Sequence, residues 1–170
     1  MATTTQAPLE VYLLSDFSPD AEYIDGEIKE RPVGENDHSA LQLAICTWFA
    51  AHAAEWKIRV RPELRIQVTS RNFLVADVAI LDASAPKERF ATRPPVAVFE
   101  VLSPENSMRE MLRKCQLYRE MGTPQIWLID PSDRIWRRST EEGLVPATEF
   151  AYEPLGINFS LSEITNRIDD

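Results

Sequence analysis

Two carboxylates stand where apolar side chains belong. Asp77 interrupts the run Leu74-Val75-Ala76-Asp77-Val78-Ala79-Ile80, and Glu100 interrupts Val96-Ala97-Val98-Phe99-Glu100-Val101-Leu102. Burying an ionised carboxylate costs several kcal/mol unless a cation or good hydrogen bonds compensate. A hard divalent cation held by oxygen ligands is one such compensation. The competing structural reading has each acid near a strand end, facing solvent or accepting backbone hydrogen bonds. Downstream, Lys114 borders an apolar stripe of Met108, Met111, Leu112, Cys115 and Tyr118 at helical spacing. From there its ammonium reaches along the sheet toward the carboxylates, or pairs with Glu110 one turn earlier. His38 falls in the first turn of an earlier helix, on its apolar side, where the positive end of the helix dipole disfavours a charged imidazole. Ligand, base, phosphate donor and structural histidine are all open readings for it, whereas His52 reads as structural.

The elements that must position these groups follow from periodicity. Glu22-Tyr23-Ile24-Asp25-Gly26-Glu27-Ile28 sets Asp-Gly between two alternating segments, the chemistry of a two-residue hairpin turn needing positive φ. Leu41, Ala44, Ile45, Trp48 and His52 recur at helical spacing between His38 and about Ala54, with Asn36 or Asp37 available as the cap. Ile58, Val60, Leu64, Ile66 and Val68 alternate along a half-exposed strand, in which Pro62 marks an edge or a bulge. Two apolar runs follow, Phe73 to Leu81 and Val96 to Leu102, separated by a loop with Pro86, Pro94 and Pro95 that is long enough to be mobile. Ser103-Pro104-Glu105 supplies a cap, a proline at the first helical position and an acid in the first turn, so a helix is expected to start there and to end at Gly122. Gln125 to Asp130 reads as a buried strand, Asp130 to Asp133 as a turn and Ile135 to Arg138 as the returning strand; after Glu141 the pattern weakens, with turns near Gly143 and Gly156. The strand, helix, strand unit from Val96 to Asp130 calls for a parallel crossover. An α/β fold results, with a mixed β-sheet flanked by α-helices.

A chain of 170 residues fits one compact domain, residues 1–170, without room for a second core. No apolar run approaches the roughly 20 residues that span a bilayer, and Met1 to Pro8 lacks the basic and apolar pattern of a signal peptide. A cytoplasmic protein without membrane contact is expected. Cys46 and Cys115 each lie inside an apolar helical pattern and read as reduced core thiols. The net charge of -9 removes the strong electrostatic footprint of a nucleic-acid binder, although Lys57, Arg59, Arg61 and Arg65 form a local basic run. Phosphate-binding Gly-rich loops, His-Glu-x-x-His and Gly-x-Ser-x-Gly are all missing, so nucleotide, zincin and hydrolase-elbow readings lack their parts.

In order along the chain stand Glu22 through Glu27, Asp37-His38, Val75 through Val78, Phe99-Glu100-Val101-Leu102-Ser103-Pro104, Lys114 through Tyr118, and Gly122 through Pro131. This series resembles the landmarks of the Uma2 family of restriction-endonuclease-like proteins, over about residues 22–138. The resemblance implies a PD-(D/E)XK nuclease core, restriction-endonuclease-like, whose metal site falls on Asp77, Glu100 and Lys114, the lysine having moved from the strand position at Leu102 to the next helix. His38 and Glu27 match further landmarks, which makes Glu27 an added metal ligand and His38 an added catalytic candidate. Ala76 stands where the family has proline, and Glu110 where it has aspartate. The implied activity is Mg²⁺-dependent hydrolysis of DNA, with Mn²⁺ able to substitute, and Lys114→Met is expected to abolish it while leaving the fold intact. A homodimer is expected because double-strand cleavage needs two sites, with Trp127, Trp136 and Phe150 as candidates for an apolar surface or, equally, for the core. The rival reading is a non-catalytic oligomerisation or partner-binding module with a vestigial metal site, which the acidic balance favours.

Overall fold

The computed structural model describes residues 4–18 and 20–168, so the ends of the expected 1–170 domain lie outside the described residues. A short strand β1 (Thr4–Gln6) and a helix α1 (Leu9–Leu14) open the fold, neither of them announced by the sequence pattern. The hairpin β2 (Ala21–Ile24) and β3 (Glu27–Glu30) follows, turning on Asp25 at φ 53° and Gly26 at φ 88° as the Asp-Gly pair requires. Helix α2 (Asn36–Ala51) breaks at His52 into the short α3 (Ala53–Trp56). Its cap position is Glu35, which makes no side-chain cap bond, and not Asn36 or Asp37 as expected; the Asn36 amide is turned toward Asp37 instead.

Strands β4 (Ile58–Thr69), β5 (Asn72–Asp82) and β6 (Ala97–Val101) come next, then α4 (Met108–Met121), β7 (Gln125–Ile129), β8 (Trp136–Thr140) and β9 (Gly143–Pro146). The chain closes with β10 (Glu149–Tyr152), a 3-10 turn, β11 (Ile157–Ser160) and α5 (Ser162–Thr165). Helix α4 starts later than Ser103-Pro104-Glu105 suggested. Asn106 Oδ1 accepts from the Ser103 amide and hydroxyl and holds that segment as a turn, and Ser107 is the cap. The Ser107 hydroxyl accepts from the Glu110 amide while the Glu110 carboxylate accepts from the Ser107 amide, a reciprocal box that satisfies two end donors. Gly122, at φ 102°, ends the helix as expected.

Nine strands form one sheet in the order β1-β3-β2-β5-β6-β7-β8-β9, with β4 paired to β5, while β10 and β11 form a separate ribbon. Strands β6 and β7 are parallel across α4, as the crossover argument requires. Strand β5 has three partners. Strand β4 pairs along nearly its whole length, so β2 and β6 share the other edge: β2 meets it at Tyr23 and Phe73, β6 from Val78 with Phe99 to Ile80 with Ala97. Between those contacts the sheet forks.

Opposite the fork, β4 and β5 carry a paired irregularity. Pro62 pairs with Val78 and Leu64 with Ala76, while Glu63, at φ 49°, and Asp77 fall between them. Ile58, Val78 and Ile80 pack in the cluster under α2, whereas Leu64, Ile66, Val68, Leu74 and Ala76 pack in the cluster under α4. The even-numbered residues therefore change face at this point, although their alternation in sequence runs on unbroken. Pro62 sits in a strand whose outer edge is covered by the 83–96 connection: Gln67 donates to the Ala91 carbonyl, and the Ala91 amide donates to the Arg65 carbonyl. That connection, expected to be mobile, is pinned at its middle. Trp127, Trp136 and Phe150 are buried in the core under α2, the second of the two places open to them, and supply no apolar surface. No helix among the described residues is long and apolar enough to cross a membrane. Cys46 and Cys115 are free thiols, and burial pushes each up to about 11.

Candidate active site

A fork leaves backbone donors without a neighbouring strand, and acids take them. The Val75 amide donates to Glu22 Oε1 at 2.9 Å, and the Val101 amide, two residues past the β5–β6 ladder, donates to Asp77 Oδ2 at 2.7 Å. Extending that ladder by one pair sets Glu100 opposite Asp77. Both are 2 % exposed. Their placement in apolar runs thus has a topological cause: they lie where two strands diverge from a third.

Cations surround the three acids. Lys114 leaves α4 and places Nζ 2.8 Å from Glu100 Oε2 and 2.8 Å from Glu22 Oε1. Tyr118, one turn further along the same helix, donates its hydroxyl to Glu100 Oε1 at 2.8 Å. Arg31, just beyond β3, spans Asp77 Oδ1 and Glu63. Gln42 from α2 donates to Glu63 at 2.6 Å and to the Asp77 carbonyl at 2.8 Å, bracing the irregular point of the hairpin. His38 Nε2 lies 3.4 Å from Asp77 Oδ2, and its buried Nδ1 has no partner. A Cβ at Gly34 would stand 3.1 Å from that nitrogen, so glycine leaves the imidazole its room.

Position decides how each group holds its proton. Burial pushes Glu100 up to about 7, helped by the charges of Asp77 and Glu22 and opposed by Lys114. Burial acts on Asp77 in the same sense, but the His38 contact and the Arg31 charge outweigh it and leave that carboxyl below its ordinary range. For Lys114 burial favours the neutral amine, yet Glu100 and Glu22 hold the ammonium well above its usual value. Burial and the same acids raise the Tyr118 phenol, which stays protonated and donating. The site is therefore an ionised Asp77 beside a Glu100 poised to gain or lose a proton near neutrality.

Asp77, Glu100, Lys114 and His38 all meet at this point. Glu27 lines the same cleft, of about 910 Å³, but its carboxylate accepts from Gln6 at 2.8 Å, next to the hairpin turn. Among the described residues no group of three His, Cys, Asp or Glu side chains is placed to hold a metal ion, and Glu27 stands apart from Asp77 and Glu100. Arg31 pairs with Asp77, Lys114 with Glu100 and Gln6 with Glu27. The acid that does reach the cluster is Glu22, 7 % exposed. The sequence pattern marks Glu22 as part of a hairpin and of a family landmark and Tyr118 as part of an apolar stripe, gives neither a role at the site, and leaves Arg31, Gln42 and Glu63 unmarked. Tyr118 had a visible signal, four residues from Lys114 on one helix face. The others are joined by the fork and by the hairpin irregularity, which no local pattern encodes. Glu110, the alternative partner of Lys114, is engaged by Ser107 and by Lys29 at 3.6 Å.

Paired strand acids with a buried lysine at the mouth of an open cleft, on a mixed sheet flanked by helices, define a restriction-endonuclease-like nuclease fold. The Uma2 family, described as "Putative restriction endonuclease", matches residues 9–161, and the chain belongs to it. It is 29% identical over 119 residues to "Uncharacterized protein slr1290" of Synechocystis sp. (strain ATCC 27184 / PCC 6803 / Kazusa), which covers 67% of this chain and 62% of that protein. The chain thus spans under two thirds of that relative's length. Its fold is that of a nuclease of DUF820 from Anabaena variabilis ATCC 29413, described as "putative", with a TM-score of 0.82 at 21% identity, covering 95% of this chain and 99% of the other. A chain of the DrdV-DNA complex aligns with a TM-score of 0.45 at 12% identity, over 80% of this chain and 12% of that one.

Proposed function

We propose that this chain hydrolyses phosphodiester bonds of DNA with Mg²⁺, or Mn²⁺ in its place, at the Asp77–Glu100–Lys114 cluster. The observation that supports the reading is the concentration of buried carboxylates, Glu22, Asp77 and Glu100, at one fork that opens into a cleft. Their donor atoms are all oxygens, which suits a hard divalent ion in kind. Asp77 and Glu100 would hold it, with Glu22 beside them, once Arg31 gives up Asp77 Oδ1. Bound there, the ion would neutralise phosphate charge and acidify a water. Lys114, kept protonated, donates to the phosphate oxygens as charge builds on them. Tyr118 fixes Glu100 Oε1, so that the carboxylate turns its other oxygen to Lys114 and the cleft. His38 keeps a free Nδ1 and holds Asp77 from the α2 side.

A second reading has a specific observation in its favour. Both oxygens of Asp77 and both of Glu100 are already engaged by protein donors, a closed arrangement that suits a binding module with a vestigial site. A plasmid-nicking assay in Mg²⁺ or Mn²⁺ separates the two, with thermal melting at millimolar Mg²⁺ alongside. The nuclease reading expects nicking that falls by about 10³ or more in Asp77→Ala/Glu100→Ala, and a melting temperature raised by the ion in the parent alone. A parent that neither nicks DNA nor responds to either ion would leave the binding module standing.

A further inference from the structure

We propose that a groove between β4 and the 83–96 connection that covers its outer edge, lined by Arg59, Arg61, Lys87 and Arg93, is a second nucleic-acid contact that seats the phosphate backbone of a DNA strand beside the acidic cleft. The proposal rests on the nuclease reading, because it names how that substrate would be held. It begins from a charge problem. The catalytic cleft is lined by eight carboxylates against five lysines and arginines. Such a surface repels a polyanion, and nucleic-acid affinity comes chiefly from neutralising phosphates with basic side chains. The grip on a strand must come from elsewhere.

The edge groove has the opposite balance. It is a cavity of about 180 Å³ between β4 and the 83–96 connection, with four basic side chains and Glu88 as the one acid in its lining. Glu88 accepts from the Thr92 hydroxyl, and among the described residues none of the four cations forms an ion pair. Arg59 donates to the Ala85 carbonyl while its buried Nε has no partner, and Arg61 donates only to the Val60 carbonyl next to it. Asp82, half-buried at the end of β5, accepts from the Ser84 amide and hydroxyl, and the Arg59 charge is the least of the influences on it. By contrast Arg31, Arg65, Arg113 and Lys114 are all tied to carboxylates. Leu64, Leu81 and Phe90 stand among the apolar residues of the lining, a floor suited to sugar and base surfaces beneath a phosphate rim.

Placement relates the groove to the site. Arg61 pairs with Ala79, two residues along β5 from Asp77, which is roughly 7 Å at the rise of a strand. Leu64 and Ala91 also pack on the cluster under α4, the helix that delivers Lys114. The pinning of Ala91 to β4 holds the groove's outer wall in place without ligand.

The test is fluorescence anisotropy with a fluorescein-labelled 20-base-pair duplex in Ca²⁺, titrated from low to moderate salt. Three proteins are compared: parent, Arg61→Glu/Arg93→Glu, and Arg71→Glu/Arg167→Glu as a charge-matched control away from the groove, with melting curves verifying each fold. The groove variant is expected to bind at least about tenfold more weakly than the control, and its slope of log K against log salt to flatten by roughly 2. An Arg61→Gln/Arg93→Gln protein, less perturbing to the edge, should lie between. Equal affinity and slope in the groove and control variants, with a parent that binds and nicks DNA, would overturn the groove and leave the nuclease reading untouched. A parent that binds DNA through the groove without nicking it would sink the nuclease reading alone. Competition by AMP or inorganic phosphate at concentrations that leave the duplex unaffected would assign the groove to free nucleotides and overturn the strand contact.

Discussion

Phe99 and Glu100 are neighbours on β6, point to opposite faces of the sheet, and end in two different kinds of interior. Phe99 packs under α2 against Phe49, Trp136 and Phe150, with ring centroids 5.3 to 6.1 Å apart. Glu100 meets Lys114 and Tyr118 under α4. Each side chain is lost from water almost completely, yet the two burials have opposite consequences. Apolar area removed from water stabilises the fold, at about 25 cal/mol per Å². A carboxylate and an ammonium removed from water lose hydration that their mutual attraction only partly returns. Phe99 helps to hold the protein together; Glu100, set on the face where Val98 joins the apolar cluster under α4, is a cost that the fold carries at the point that opens into the cleft.

The largest expected effect tests the first half of that contrast. Phe99→Ala empties the middle of the aromatic cluster and should destabilise by about 3–5 kcal/mol, read as a drop in denaturation midpoint with an unchanged denaturant slope. A loss below about 1 kcal/mol would mean that the aromatic side is not the stabilising interior.

Lys114→Met tests the second half. The sequence led to the expectation that this change spares the fold, but Lys114 is the shared partner of two buried acids, Glu22 and Glu100. Removing it should cost about 3 kcal/mol at pH 8. The cost should shrink toward pH 6, because a Glu100 already pushed up to about 7 rises further without the ammonium and takes a proton. Urea melts at the two pH values read the difference, and a cost independent of pH would refute the pairing.

The parent protein should show the same chemistry more faintly. Glu100 binds its proton more tightly folded than unfolded, so its stabilising contribution is complete below about pH 4.5 and is lost as pH rises through about 7. Asp77 has the opposite sign, since its depressed carboxyl contributes above its ordinary range and fails only in acid. Between pH 5 and pH 8 the Glu100 slope remains. In EDTA the melting temperature should fall by several degrees over that interval, at about 2–4 °C per kcal/mol for a chain of this size. Glu100→Gln should flatten the curve.

These contrasts also mark how far the sequence could be read. Asp77 and Glu100 were legible because a charge inside an apolar run is a local anomaly. The hairpin turn at Asp25-Gly26 and the Gly122 stop were legible for the same reason, each resting on a few adjacent residues, and the parallel crossover was legible from the order of the elements between Val96 and Asp130. Glu22 and Arg31 were not, because what buries them is a fork between strands distant in sequence. Strand β4 misled: its even alternation reads as a single buried face, yet Glu63 at φ 49° turns Ile58 toward one core cluster and Ile66 toward the other. Only the partner strand, irregular at Asp77, records that turn.

The smallest effect concerns the start of the helix that holds the charged interior shut. Two serines compete for the role: Ser103, which begins a Ser-Pro-Glu sequence with every local mark of a helix start, and Ser107, which begins Ser-Met-Arg-Glu, a capping box. The structure uses the second. The Glu110 amide donates to the Ser107 hydroxyl oxygen at 3.2 Å, and the Ser107 amide donates to the Glu110 carboxylate at 3.3 Å. Ser103 is fastened by Asn106 in the turn before it. Ser107→Ala should therefore cost about 1 kcal/mol, the ordinary loss of a cap. Ser103→Ala should cost less, since Asn106 still meets the Ser103 amide. The cap lies two turns from Lys114, and the buried positions Met111, Cys115 and Tyr118 anchor the helix between and beyond. Nicking activity should accordingly survive Ser107→Ala. Equal losses from the two serines would place the helix start at Ser103. Activity lost with only a slight loss of stability would mean that the first turn, and not the packing of α4, sets the reach of Lys114 to Glu100.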